Sequence, residues 1–291
     1  VLTKPRGFSL AELLVGVVLA CALGAAVMDF AIRQQRFFAA DARAAVVRAA
    51  VRQAVDILTA DLRALTPRDG DLYAAAPDHV EFRLMLGASV LCTVNAARDA
   101  AVLPPLRPPS VLGLTSWVAA PARGDTLLVL DARGPGAADD QWSRHVLTAD
   151  PSSGATCPVA SGFTAGAAEA AAGWRIALWP PLPATVVAGA AVRFVRRARF
   201  ELYRAADSRW YLGFYDCLST RATPCAVVQP VSGPYDPLGI RFTYLDSLGA
   251  VALAAADVAA IIVSVHASAA GAAPGGAPLR DSARAAIAVR N

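Results

Sequence analysis

The chain is poor in the residue patterns that carry chemistry. Lys4 is its one lysine among 27 basic residues, and only 3 histidines and 5 cysteines occur in 291 residues. No Cys-x-x-Cys pair is present, and His79, His145 and His266 are scattered, which argues against a zinc site. Nothing resembles the Gly-x-Ser-x-Gly turn of a hydrolase, so no nucleophile, base and orienting group can be assembled from motifs. Gly275-Gly276 lies in a Pro/Ala-rich stretch without the strand, glycine-rich turn and helix that cradle a phosphate. Asp131, Asp139 and Asp140 do not keep the spacing of an EF-hand loop and read as a solvated loop. The expectation is a protein that is not an enzyme and holds no cofactor and no metal. Long apolar runs are also scarce. No second run of about 18 residues or more is free of charge and proline. The nearest rival, Val258–Ala270, alternates and contains His266, which suits a strand.

What is present is concentrated at the beginning. From Phe8 to Met28 the chain supplies about 21 residues, rising about 31 Å as a helix against a hydrocarbon core of roughly 30 Å. Glu12 is the one charge inside that run. A charge deep in a bilayer costs on the order of 2.5–3.5 kcal/mol on insertion scales, and Glu12 lies about one turn below the surface. A chain break between Gly7 and Phe8 would place a free ammonium beside that acid. Other readings exist. Ser9-x-x-Glu12 fits a capping box. A secretory signal has a shorter apolar region, about 7–15 residues. Val18-Leu19-Ala20-Cys21 is a loose lipobox whose leucine is ill placed, so Cys21 reads as a small residue buried in the bilayer.

Past Met28 the helix continues as an amphipathic rod to Leu65. Val47, Val51, Val55, Leu58, Leu62 and Leu65 draw one apolar stripe, and Asp29 and Arg33 have the favourable i,i+4 order. Thr66-Pro67-Arg68-Asp69-Gly70 ends it. Beyond residue 71 the helical period disappears. Strands are expected at His79–Leu86, Ser89–Val94, Thr126–Asp131, Arg144–Thr148, Trp174–Leu178 and Arg199–Arg204. Others are expected at Trp210–Asp216, Ile240–Leu245, Ala260–Ala267 and Ala283–Arg290. Arg199–Arg204 and Trp210–Asp216 make the best antiparallel pair. Pro104–Pro109 should be an extended surface segment, and Asp131–Asp140, Gly162–Gly173 and Gly271–Pro278 should be loops. Arg193, Arg196, Arg197 and Arg199 could face a phosphate, but strand alternation splits them between two faces, so nucleic acid is not the expected partner. Trp142, Trp174 and Trp210 read as core residues. Setting Cys21 aside leaves Cys92, Cys157, Cys217 and Cys225, which admit three pairings. The short loop from Cys217 to Cys225 favours that pair and leaves Cys92 for Cys157, in an oxidising compartment.

Lys4-Pro5-Arg6-Gly7 followed by Phe8-Ser9-Leu10-Ala11-Glu12-Leu13-Leu14-Val15 resembles the processing site of type IV pilins and secretion pseudopilins. Together with Asp56–Arg63 late in the helix, the aromatic hairpin Arg199–Asp216 and a strand ending in Ala288-Val289-Arg290-Asn291, the layout is similar to the group that includes the minor pilin PilW and the type II secretion pseudopilin GspJ. The resemblance implies cleavage after Gly7 by a prepilin peptidase, methylation of Phe8, and pairing of Glu12 with the terminal amine of a neighbouring subunit. It implies an α+β, pilin-like fold. The divisions are a leader over 1–7, a membrane and assembly segment over 8–28, an amphipathic segment over 29–65 and a periplasmic antiparallel β domain over 66–291. It also implies residence in a bacterial inner membrane, contact with an assembly platform, and incorporation with other pilins into a pilus or, alternatively, a pseudopilus. A third possibility is a periplasmic glycan- or DNA-binding module held by an uncleaved anchor. Major pilins often carry a proline near the end of the apolar stretch. None occurs here, and Gly24 is the soft point.

Overall fold

The computed structural model describes residues 10–106, 111–132, 140–218, 220, 223, 225–269 and 278–290. It opens with one long helix, α1 (Leu10–Leu62), followed by β1 (Leu72–Ala75), β2 (His79–Val90), β3 (Thr93–Val94), β4 (Ala100–Leu103), β5 (Ser116–Trp117) and β6 (Thr126–Asp131). Next come β7 (Gln141–Leu147), β8 (Ser152–Ala155), α2 (Ala167–Ala171), β9 (Gly173–Trp179) and β10 (Ala191–Arg204). The chain ends with β11 (Trp210–Asp216), β12 (Val227–Tyr235), β13 (Ile240–Leu245), β14 (Ala260–Ala269) and β15 (Leu279–Ala288). The layout is a long apolar helix packed on antiparallel sheets.

The spine of the larger sheet is β2 against β10, paired from Val90↔Ala191 to His79↔Glu201. Along its other edge β10 pairs first with β6 and then with β11, while β7, β9 and β4 continue outward from β6. The smaller sheet runs β13–β14–β15. Alternation explains how β10 serves two cores. Val192, Phe194, Ala198 and Phe200 point inward, while Arg193, Arg197 and Arg199 take the other face. Ala198 and Phe200 join the first core with Leu58, Leu62, Phe82 and Val263. Val192 and Phe194 join the second with Leu86, Leu127 and Ile176.

Arg196 shares the inward face, between Phe194 of one core and Ala198 of the other. Its Nε and Nη2 donate to the two oxygens of Asp125 at 2.6 and 2.7 Å, and its Nη1 donates to Asp216 at 3.2 Å. This bidentate geometry offsets the burial of both charges. The Asp125 hydrogen bonds, outweighing desolvation, hold the guanidinium above its ordinary pKa. On the opposite face Arg197 and Arg199 converge on the buried Glu81, with Nε donors at 2.7 and 2.8 Å. Burial pushes the Glu81 carboxyl up, but the hydrogen bonds and charges of the two arginines outweigh it and hold the group low.

Several elements depart from expectation. α1 ends at Leu62, three residues before Leu65, because Thr66 precedes Pro67 and a short turn over Pro67–Asp69 closes on Gly70 at φ 75°. The strand expected over Ser89–Val94 is broken: β2 runs to Val90, and Cys92 is tied to Cys157. Pro104, Pro105 and Leu106 are not surface residues but buried, with Leu106 in the second core. Part of the Gly162–Gly173 loop is helical, as α2. β12 was hidden by Pro230 and Pro234, which a strand paired on one side tolerates. Of the Gly271–Pro278 loop, all but Pro278 lies outside the described residues. The hairpin of β10 and β11 forms with Arg204 opposite Trp210, and its loop is the one read from sequence.

Disulfides join Cys92 to Cys157 and Cys217 to Cys225, over separations of 65 and 8 residues. Loop entropy alone assigns about 4 kcal/mol to the longer link and about 2.5 kcal/mol to the shorter. Chemical denaturation in detergent should show the Cys92→Ala/Cys157→Ala chain losing more stability than Cys217→Ala/Cys225→Ala. Glu81→Gln should cost about 1.5–3 kcal/mol near neutral pH, since it leaves two arginines competing for a neutral amide. Because the folded Glu81 titrates below its ordinary 4.5, its contribution is whole above that value and disappears as pH falls through the lowered one. Melts of both proteins should therefore converge in acid.

Candidate functional site: the uncovered part of the long helix

α1 rises about 80 Å over its 53 residues. By length and composition it can cross a membrane. Its buried positions are Ala44, Val47, Ala50, Val51, Ala54, Leu58 and Leu62. No residue from 10 to 43 is buried, which leaves about 50 Å of helix outside the cover of its own domain. The boundary thus falls at Ala44, well beyond Met28 where the apolar run stops.

Within the uncovered part, Glu12 sits in the first helical turn, where the helix dipole favours a carboxylate. Gly7, Phe8 and Ser9, which complete the proposed processing site and capping box, lie outside the described residues. Cys21 is a free, exposed thiol among leucines and valines that are also exposed. After Met28 comes a stem of mixed character. Asp29 and Arg33 form the i,i+4 ion pair at 2.9 Å, and Phe30, Phe37 and Phe38 are 62%, 69% and 65% exposed. Phe37 stands seven and fourteen residues before Ala44 and Val51, and Phe30 stands seven residues before Phe37. They lie on the line that continues through the buried positions 44, 51 and 58.

The domain grips the helix from Ala44 onward through β12, β14 and β15. Ala44, Ala50 and Ala54 let these strands approach closely, a contribution absent from the sequence reading, which followed only valine and leucine. Their signal was alanine on the same face as Val47, Val51 and Leu58, obscured because alanine is abundant throughout. Tyr235 of β12 donates its hydroxyl to the Ala50 carbonyl at 2.7 Å and meets Ser232 at 2.7 Å. Burial pushes the Tyr235 phenol up to about 12, against the opposing effect of Ser232.

Other residues singled out by sequence do not come together. Asp131 is fully buried at the end of β6 and is not part of a solvated loop. Asp140 adjoins β7, and Asp139 lies outside the described residues. Among the described residues, no group of His, Cys, Asp and Glu could hold a metal ion. Trp174 packs against the second core, but Trp142, expected in a core, is 40% exposed beneath Arg193. Asp61, near the end of α1, is half-buried, and desolvation raises its pKa. No family model, no curated protein and no solved structure matches the chain.

The uneven cover of α1 separates two kinds of substitution. Leu58→Ala should cost the domain about 2–5 kcal/mol, the range for a fully buried leucine. Phe37→Ala should leave the melting of the isolated chain within about 0.5 kcal/mol. Denaturation of both variants in the same detergent checks the contrast.

Proposed function

We propose that the chain is a minor pilin: a structural subunit of a type IV pilus, cut after Gly7, methylated at Phe8 and assembled through Glu12. The observation that carries this reading is the uncovered helix. It is apolar over a bilayer length with an acid in its first turn, and it is continuous with a segment locked onto a disulfide-bonded β domain. A structural part of this kind acts by being inserted, extracted and packed.

Its proposed mechanism is electrostatic. A carboxylate about one turn below the membrane surface is costly in lipid, and the ammonium of a neighbouring Phe8 supplies a counter-ion when two helices dock in register. The same chemistry would serve a pseudopilin of a type II secretion system, and the features above suit either filament.

Two measurements test the reading. The mass of the chain isolated from its own cells should correspond to a start at Phe8 carrying one methyl group; an intact leader would favour a tethered binding module instead. Glu12→Ala should insert into the membrane as well as the parent or better and should be missing from sheared filaments. Filaments containing normal amounts of this variant would defeat the assembly mechanism.

A further inference from the structure

A groove of about 850 Å³ runs beside the end of α1, where the two cores meet. Its size is within the range of about 300–1,000 Å³ that binding pockets occupy. Met85 and Val195, paired on one face of the sheet, form its floor, and Leu84, which packs against both cores, also lines it. Met85 is 43% exposed there.

The two walls differ in charge. One is the strand wall. Arg193 on β10 stands opposite Leu128 on β6, which stands opposite Arg144 on β7. With neighbouring strands about 4.8 Å apart, the two arginines are about 10 Å apart in one row. Arg193 also lies over the exposed Trp142 ring, 4.5 Å from its centroid. Among the described residues, neither Arg144 nor Arg193 has an acidic partner, unlike Arg196, Arg197 and Arg199. The lining at the end of α1 bears Asp61 and Asp69 together with Arg290, whose backbone N–H donates to the Leu65 carbonyl at 2.9 Å. Arg83 on that side is already committed to Asp71 at 2.5 Å and to the carbonyls of Asp69 and Gly70.

We infer that this groove binds an extended peptide segment of a partner protein, taking its carboxylates on Arg144 and Arg193 and its apolar side chains on the floor. Exposed Trp, Met and Arg together have the composition of a protein interface core. Asp61 and Asp69 oppose a polyanion such as nucleic acid or an acidic glycan, which would bring charge to both walls. A peptide meets the aspartates with backbone amides. The inference does not depend on processing or filament assembly.

The test uses the full chain in detergent micelles and fluorescein-labelled octapeptides read by anisotropy. An alternating Glu-Leu peptide should bind, and an alternating Lys-Leu peptide should bind at least about tenfold more weakly. Arg144→Glu and Arg193→Glu should each weaken the Glu-Leu peptide about tenfold or more. Both arginines are exposed, so the fold should survive, and melting of each variant checks this; Arg144→Gln and Arg193→Gln replace any variant whose melting shifts. The inference is overturned by failure of the Glu-Leu peptide to bind, by equal binding of the Lys-Leu peptide, or by unchanged affinity in both arginine variants. Displacement of the peptide by oligothymidylate or an oligogalacturonate at lower concentration than unlabelled peptide also overturns it, assigning the groove to a polyanion.

Discussion

The structure depends on one helix whose two parts suit different surroundings. A helix keeps its backbone hydrogen bonds internal, which is the condition for a single segment to cross hydrocarbon. The same closure lets α1 leave the lipid-compatible stretch and enter a protein core without interruption, since from Leu10 to Leu62 no proline breaks the ladder. What changes along it is the side chains. Up to Met28 they are apolar on every side apart from Glu12, whereas from Ala44 only one stripe is buried. The three-stranded sheet and β12 supply the surface that receives that stripe. Ala50 and Ala54 decide how closely the sheet can lie, and Tyr235 fixes the depth through the Ala50 carbonyl. An isolated stripe of this length would be a marginal helix in water, so the domain and the helix segment from Ala44 onward stabilise each other.

Charge placement in the domain obeys a related constraint. Two cores share one strand, β10, and the junction between them carries a charge where a continuous core would carry a leucine. Arg196 is kept there by a fork matched to Asp125 and by a third bond to Asp216. A lysine could not satisfy two carboxylates in that planar arrangement. Glu81 poses the inverse problem, a buried anion held by two arginines at the opposite face. A basic complement drawn almost entirely from arginine is consistent with this use of paired, directional charge.

Much of this was legible in the sequence, for identifiable reasons. α1, the β10–β11 hairpin, β13 and β14 announce themselves because periodicity is strong and unbroken there, and β6 and β11 appear with the very bounds expected. The two cysteine pairs follow loop length. The failures have equally local causes. Pro230 and Pro234 disguised β12, since proline argues against a strand unless one edge is unpaired. Pro104 and Pro105 suggested a surface that they do not occupy, because Leu106 pulls them under. Arginine spacing along β10 showed that the charges divide between faces, but the partners of those charges, Asp125 and Glu81, are 71 and 116 residues away from Arg196 and Arg197. The exposure of Trp142 also could not be read locally, as it results from what β7 faces across the groove.

The stem between Met28 and Ala44 bears on whether the helix serves as a simple anchor. Phe37 lies nine residues past Met28, about 13 Å along the axis. The polar zone on each side of a bilayer adds only about 5–7 Å to the hydrocarbon core. An upright helix therefore carries Phe37 and Phe38 beyond the headgroups. With the start of the apolar run held at the far hydrocarbon boundary, bringing Phe37 back within the headgroups needs a tilt near 35°, above the average of about 20° and close to the end of a range reaching about 40°. At an average tilt lipid leaves these rings uncovered, and their own domain leaves them exposed. Yet Phe30 and Phe37 continue the line that Ala44, Val51 and Leu58 bury a few turns later. A tether gains nothing from prolonging an apolar line into water. A subunit whose neighbours bring their own helices alongside would gain a contact surface, and this supports the proposed assembly role of α1 over simple anchoring.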